Sequence, residues 1–218
     1  QAVALPHPHG IAFEVHEGHE VQTLRTHLLG DYNIDNLLGV MGAMRAMGIG
    51  LAQAVQACTH LTSVPGRMQA VCLDGSTTQD AQALQHLPMV VVDYAHTPDA
   101  VSHALLALRS MATARGGQLW CVLGCGGDRD ASKRPHMAAA AQAAADQLVL
   151  TSDNPRSESP EAILADMMAG LMRTDSVRIQ LDRARAVSEV VSLAGAADVV
   201  LVAGKGHEST QEIMGVFH

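Results

Sequence analysis

The sequence predicts an α/β protein: a doubly wound, mostly parallel sheet with helices on both faces, preceded by a smaller unit. Two observations carry this. From residue 68 onward, short β-rich apolar runs alternate with amphipathic helical stretches, the pattern of parallel strands covered on both faces. Before that, two strand-like runs and two helical stretches lead into "SVPGRM", where Pro65 and Gly66 break the chain. The expected division is 1–63 and 64–218.

In the first unit, "GIAFEVHEGHEVQTLRTHLLG" reads as two strands around a Glu17-Gly18 turn. "NIDNLLGVMGAMRAMGIG" then shows helical apolar spacing, with Asn33 as a start signal and a glycine stop, and "LAQAVQACTHL" gives a second helix. In the second unit the strand-like runs are "MQAVCLD", "MVVVD", "QLWCVLG", "QLVLT", "VRIQ" and "DVVLVAG". Helical stretches are "DAVSHALLALRSMA", "KRPHMAAAAQAAAD", "PEAILADMMAGLM" and "RARAVSEVVSLA". Residues 75–88, "GSTTQDAQALQHLP", interrupt this rhythm and read as a polar surface loop.

Composition narrows the function. Of 218 residues 48% are hydrophobic, enough for a sizeable core, but only 2% are aromatic, so Ala, Val, Leu and Met must fill it. Stacking platforms for nucleic-acid bases are not expected. Fourteen Lys and Arg against 22 Asp and Glu give a net charge of −8 without a basic run, which argues against a nucleic-acid partner. No apolar run approaches the roughly 18 residues of a membrane span, and "QAVALPHPHG" lacks a basic lead into an apolar core. A cytoplasmic protein without a membrane partner is expected. Cys58, Cys72, Cys121 and Cys125 lack paired metal spacing and read as reduced, mostly buried thiols. His7, His9, His16 and His19 are ligand types without a Cys or carboxylate frame, so no metal site is expected.

The chemistry-bearing strings follow strands directly: "DYAHTP" after "MVV", "GCGGDRD" after "CVL", "TSDNPR" after "LVL" and "GKGHE" after "VLVA". In an open parallel sheet those carboxyl ends share one edge, where ligands bind. "GCGGDRD" sets flexible glycines beside Arg129, and equally reads as a strand-to-helix turn with charged caps. "GKG" resembles part of a phosphate loop, but the G-x-x-x-x-G-K-[ST] spacing occurs nowhere in the chain. In "TSDNPRSESP", Asn154-Pro155 favours a turn, Ser159 a helix cap and Pro160 a first helical position. Asp153 and Arg156 are left over. A carboxylate for an ammonium and a guanidinium fork for a carboxylate would suit a zwitterionic amino acid; a structural ion pair would look the same.

"GDYNIDN", "VPGRM", "VVVDYAHTPDA", "GCGGDRDASKRP", "TSDNPRSESPEAI" and "VLVAGKGHE" together resemble the C-terminal half of the Mur ligases, in order, over nearly the whole chain. Within that family they are similar to the diaminopimelate-adding branch. The resemblance implies a Rossmann-like C-terminal amino-acid-binding domain preceded by the tail of the central ATP-binding domain. It implies a fragment as well, because the UDP-binding domain, the P-loop and the modified lysine that helps hold magnesium are not in this sequence, and "MGVFH" stops earlier than family members do. The family's reaction uses ATP and Mg2+ to activate the UDP-MurNAc-dipeptide carboxylate as an acyl phosphate. The amine of meso-2,6-diaminopimelate then attacks to form an amide in peptidoglycan synthesis. Alone, the fragment is not expected to catalyse this.

Carried over by motif, Asn33, Asn36, Arg67, Asp93, Tyr94 and His96 would surround the nucleotide, and Arg129, Asp153, Asn154, Pro155, Arg156, Gly204 and Glu208 the diaminopimelate. Read by themselves, Asn33 is a helix cap, Asp93 a strand-end acid and His96 a satisfied loop histidine. "DNPR" is the family's string for diaminopimelate, whose distal carboxylate Arg156 would pair; lysine-adding members carry another string. The departures are the long 75–88 loop and Ser209-Thr210, where a bulkier pair is usual. The alternatives are a lysine-adding Mur ligase, a folylpolyglutamate synthase relative, or a non-catalytic amino-acid-binding module. An upstream P-loop in the natural reading frame would separate the ligases from the last.

Overall fold

Period-two alternation builds the first sheet. In the computed structural model, which describes residues 1–5, 10–71 and 87–218, the strands β1 (Ala2–Leu5), β2 (Ile11–Glu17) and β3 (Glu20–Thr26) pair antiparallel in the order β1-β2-β3. Ile11, Phe13 and Val15 of β2 share one face with Leu24 of β3. Helices α1 (Tyr32–Ala46) and α2 (Leu51–Thr59) cover that face with Leu37, Met41, Leu51, Ala54, Val55 and Cys58. Strand β1 has no readable pattern: its residues are half-buried or exposed, and pairing from Ala2↔Val15 to Leu5↔Ala12 makes it a strand. Asn33 is not the helix cap. It lies inside the first turn of α1, behind Asp31, and its Nδ2 donates to the Leu29 carbonyl at 2.7 Å. The helix ends as expected, with Gly48 at φ +86° just beyond Met47.

Chain contacts divide between Val64 and Pro65, and the second unit runs from Pro65 to His218. Its sheet contains β4 (Gln69–Val71), β5 (Met89–Asp93), β6 (Leu119–Cys125), β7 (Gln147–Ser152), β8 (Val177–Ile179) and β9 (Val199–Ala203), in the order β4-β5-β9-β6-β7-β8. All neighbours are parallel except the edge strand β4, which runs antiparallel to β5. Four helices connect the parallel strands: α3 (Pro98–Arg115), α4 (Lys133–Ala144), α5 (Pro160–Met168) and α6 (Arg183–Leu193). Val90, Trp120, Val122, Val149, Val200 and Val202 meet Ala186 and Val190 of α6 on one face. Their neighbours one residue away, among them Val91, Leu123, Leu150 and Leu201, are fully buried beneath α3, α4 and α5 on the other. This is the expected α/β architecture with a mostly parallel sheet and helices on both faces.

Side-chain caps start three of the helices. Thr97 accepts from Ala100 N before Pro98, Ser159 from Ala162 N before Pro160, and Asp182 from Arg185 N. Helix α5 ends at Met168, short of the expected 172. Beyond β9 lies a hairpin the sequence did not announce, β10 (Glu212–Ile213) with β11 (Val216–Phe217). The free thiols Cys58, Cys121 and Cys125 are buried. The loop expected at 75–88, apart from Leu87 and Pro88, lies outside the described residues, as do Cys72, His7 and His9. No described helix is long and apolar enough to cross a membrane.

Candidate functional site

Register places the four polar strings together. Asp93 of β5 pairs with Ala203 of β9, Ala203 with Leu123 of β6, and Cys125 of β6 with Ser152 of β7, so these strands end along one edge. A pocket of about 300 Å³ opens there. Arg129, Asp153, Asn154, Arg156, Gly204 and Glu208 all line it, and Tyr94 and His96 stand on its β5 side. Cys125 and Met137 give it a sulfur-lined patch, their sulfurs 3.7 Å apart.

The loops after β6 and β7 are stapled to each other. Gly127 N donates to Asn154 O at 2.9 Å, and Arg156 Nη1 returns a bond to Gly127 O at 2.6 Å. Asp128 accepts from Ser157 Oγ at 2.7 Å, while its own N donates to Glu158 Oε1 at 2.5 Å. The backbones approach so closely that a Cβ on Gly127 would fall on the Pro155 carbonyl oxygen. Beneath them Arg134, only 3% exposed, donates to Glu158 at 2.8 Å, Asp166 at 2.9 Å and Gly126 O at 3.2 Å. In these stapled loops Asp128 and Arg156 sit at φ 54° and 53°, which non-glycine residues rarely adopt.

On the β9 side, Lys205 Nζ donates to Asn154 Oδ1 at 2.8 Å and lies 3.5 Å from Glu208 and 3.7 Å from Asp153. Asn154 Nδ2 donates to Glu208 Oε2 at 2.7 Å. Gly204, at φ +110°, passes directly over Asp153: a Cβ would sit 2.6 Å from Oδ2. Burial pushes the Asp153 carboxyl up, and the nearby charges of Arg183 and Lys205 pull it back in part. Burial in turn lowers Arg183, opposed by Asp153. The Arg183 guanidinium donates to the Ala203 and Ser152 carbonyls. Burial drives the Cys125 thiol up to about 12, with Asp153 adding to the rise and Arg134 opposing it.

The pocket lining therefore carries both signs of charge. Arg129, Lys133 and Arg156 offer cationic donors, and among the described residues neither Arg129 nor Lys133 is in an ion pair. Asp153 and Glu208 offer carboxylates. Such a surface suits a ligand carrying both an ammonium and more than one carboxylate.

The other expected residues fall elsewhere. Pro155 is buried behind the pocket lining rather than part of it. Asp93 turns away and accepts from Met68 N at 2.8 Å, while the Arg67 guanidinium lies 4.6 Å from the centre of the Tyr94 ring. His96 Nδ1 is 2.9 Å from Tyr94 O, as a satisfied loop histidine would be, yet the residue also lines the pocket. Asn33 and Asn36 belong to the first unit, where Asn36 Nδ2 donates to Asn33 Oδ1 at 3.0 Å. Sequence reasoning missed Lys133, Arg134, Arg183 and Lys205. Three of these stand inside the strings already singled out, "GDRDASKRP" and "GKGHE". Arg183 carried no signal, because only the fold brings the start of α6 beside the ends of β7 and β9.

A mostly parallel sheet with a pocket of mixed charge at its strand ends goes with the family that the sequence matches: residues 66–206 match the model "Mur ligase, glutamate ligase domain", and the chain belongs to that family. More particularly, the chain is 51% identical over 206 residues to a UDP-N-acetylmuramoyl-L-alanyl-D-glutamate--2,6-diaminopimelate ligase of Acidovorax sp. (strain JS42), covering 94% of this chain and 39% of the relative. The ligase of that name from Xanthomonas campestris pv. campestris (strain 8004) is 47% identical over 218 residues, 100% of this chain and 41% of its own length. A solved structure of a ligase of the same name superposes with a TM-score of 0.74 at 39% identity, covering 100% of this chain and 42% of that one. The folylpolyglutamate synthase of Thermotoga maritima shares the fold, with a TM-score of 0.66 at 17% identity over 90% of this chain and 41% of that one. The chain thus spans about two fifths of the relatives it matches.

Proposed function

We propose that this chain supplies the amino-acid-binding part of an ATP-dependent ligase that joins meso-2,6-diaminopimelate to UDP-MurNAc-L-Ala-D-Glu in the cytoplasm, for peptidoglycan synthesis. The observation that carries the reading is one pocket lined by the guanidinium residues Arg129 and Arg156 and by the carboxylate residues Asp153 and Glu208. Diaminopimelate has two ammonium groups and two carboxylates, and lysine lacks the distal carboxylate. With lysine bound, Arg156 would lose the distal carboxylate and keep only Gly127 O and the more distant Glu212 carboxylate as partners, a penalty of roughly 1–3 kcal/mol, or about 5- to 150-fold in selectivity.

In the reaction the free amine attacks a carboxyl carbon activated as an acyl phosphate. The new C–N bond forms as the C–O bond to phosphate breaks, and the nitrogen gives up a proton. The described residues of this chain would bind and orient the amine rather than activate the acid, and fixing it at the reacting carbon supplies the proximity term. The chain has no G-x-x-x-x-G-K-[ST] loop, and its described residues hold no cluster of three His, Cys, Asp or Glu suited to a metal. ATP and Mg2+ therefore belong to the proposal for the whole protein, with Arg67, Tyr94 and His96 as the second unit's residues toward the nucleotide.

The test is product formation by the full-length protein. Meso-diaminopimelate is expected to react far faster than lysine, and Arg156→Ala is expected to slow diaminopimelate selectively. Equal rates with the two amino acids would refute the assignment.

A further inference from the structure

Residues 211–214 follow the last recognisable string and were given no role by the sequence, yet they bond to most of the segment that reads the amino acid. Gln211 Nε2 donates to Ser152 Oγ at 2.9 Å and to Asp153 O at 2.5 Å. Glu212 N donates to Asn154 Oδ1 at 3.0 Å. Arg156 N donates to Glu212 O at 3.0 Å, and Met214 N donates to Arg156 O at 2.7 Å, so both backbone groups of Arg156 are taken by the strap. The Arg156 Nε stands 3.7 Å from Glu212 Oε2.

We propose that residues 211–214 are a positioning strap for this pocket, with Gln211 as the positioning residue; the proposal rests on the reading that the pocket takes diaminopimelate. The physical need is local. Arg156 sits at φ 53°, a conformation that persists only where its surroundings over-determine it, and its two backbone bonds to the strap do so. Asn154 has the same dependence. With Oδ1 filled by Lys205 and Glu212 N, its Nδ2 must face Glu208, which fixes that carboxylate too. The strap is closed on itself by paired backbone bonds of 2.9 Å between Gln211 and His218. Its turn, Met214-Gly215, has φ 50° and 76°, the mirror-image geometry that favours Asn-Gly.

Two variants of the 218-residue chain test this: Gln211→Leu, which keeps volume but loses both donors, and Met214→Asn, which suits the turn. One readout is amide hydrogen exchange at Arg156 without ligand; the other is the dissociation constant for meso-diaminopimelate by calorimetry. Gln211→Leu is expected to speed Arg156 exchange and to weaken binding, each about tenfold, with little change in the urea midpoint. A residue that only stabilises the fold would move the midpoint and leave binding by the folded chain alone. Met214→Asn is expected to slow the exchange about threefold, and it carries the test should Gln211→Leu not fold. Unchanged exchange in the folded variants overturns the strap, and faster exchange with unchanged affinity overturns its positioning role. Failure of the unsubstituted chain to bind diaminopimelate would instead remove the substrate reading and the positioning role with it, leaving the exchange measurements to decide whether the strap exists.

Discussion

Replacing Gly204 by alanine is the sharpest test of the site's geometry. Two costs follow from the structure. The φ of +110° is one that L side chains rarely adopt, a strain of order 1–3 kcal/mol. The added methyl would also lie 2.6 Å from Asp153 Oδ2, so this buried carboxylate must move away from Lys205 and Arg183, at roughly 1–2 kcal/mol more. Together Gly204→Ala should destabilise the second unit by about 2–5 kcal/mol, a large share of the roughly 5–15 kcal/mol typical of a domain. Trp120 is the only tryptophan, is 5% exposed in β6, and bonds Asp198 through Nε1, so its fluorescence reports this unit specifically. Urea titrations followed at Trp120 give the difference by linear extrapolation. A variant within about 0.5 kcal/mol of the parent would refute both the backbone constraint and the close approach to Asp153.

Two further outcomes are expected. Burial pushes the Cys121 and Cys125 thiols up to about 12, so at about pH 8 only some 1 in 10⁴ is thiolate. A thiol reagent followed by peptide mapping should label both in urea and neither in the native chain, and rapid native labelling of Cys125 would contradict a closed pocket floor. Asp146 is raised by burial, but bonds from Arg109 at 2.6 Å and Leu119 N at 2.7 Å outweigh that and leave it below its ordinary 3.8. Its stabilisation is complete above the unfolded value and drains as pH falls through the lower folded one; with both side chains 37% exposed it amounts to about 0.5–1 kcal/mol. Asp146→Asn should therefore cost stability near pH 6 and lose that effect progressively as pH falls below the ordinary 3.8, as read from paired urea titrations; a cost independent of pH would show that charge is not the cause.

Much of the fold was legible because its signals are local. Seven consecutive buried residues in β6 and five in β9 need no partner to be recognised as apolar, and Ser159-Pro160 specifies the start of α5 within four residues. What failed lacked such a signal. Strand β1 has little burial of its own, Asn33 imitates a cap while bonding backward to Leu29, and the β10–β11 hairpin turns on Met214 where Asn would have advertised it.

The sequence by itself determined the class of sheet and the strand ends at which charged residues gather, since periodicity and turn chemistry are properties of neighbours in the chain. Tertiary structure alone decided which charges were committed. Arg134 meets Glu158 and Asp166, 24 and 32 residues away, and Lys205 meets Asn154 across 51, leaving Arg129 and Lys133 outside any ion pair among the described residues. Such pairings depend on which loops the strand order β5-β9-β6-β7 brings side by side. A Coulomb interaction depends on distance in space, and spacing along the chain does not encode it.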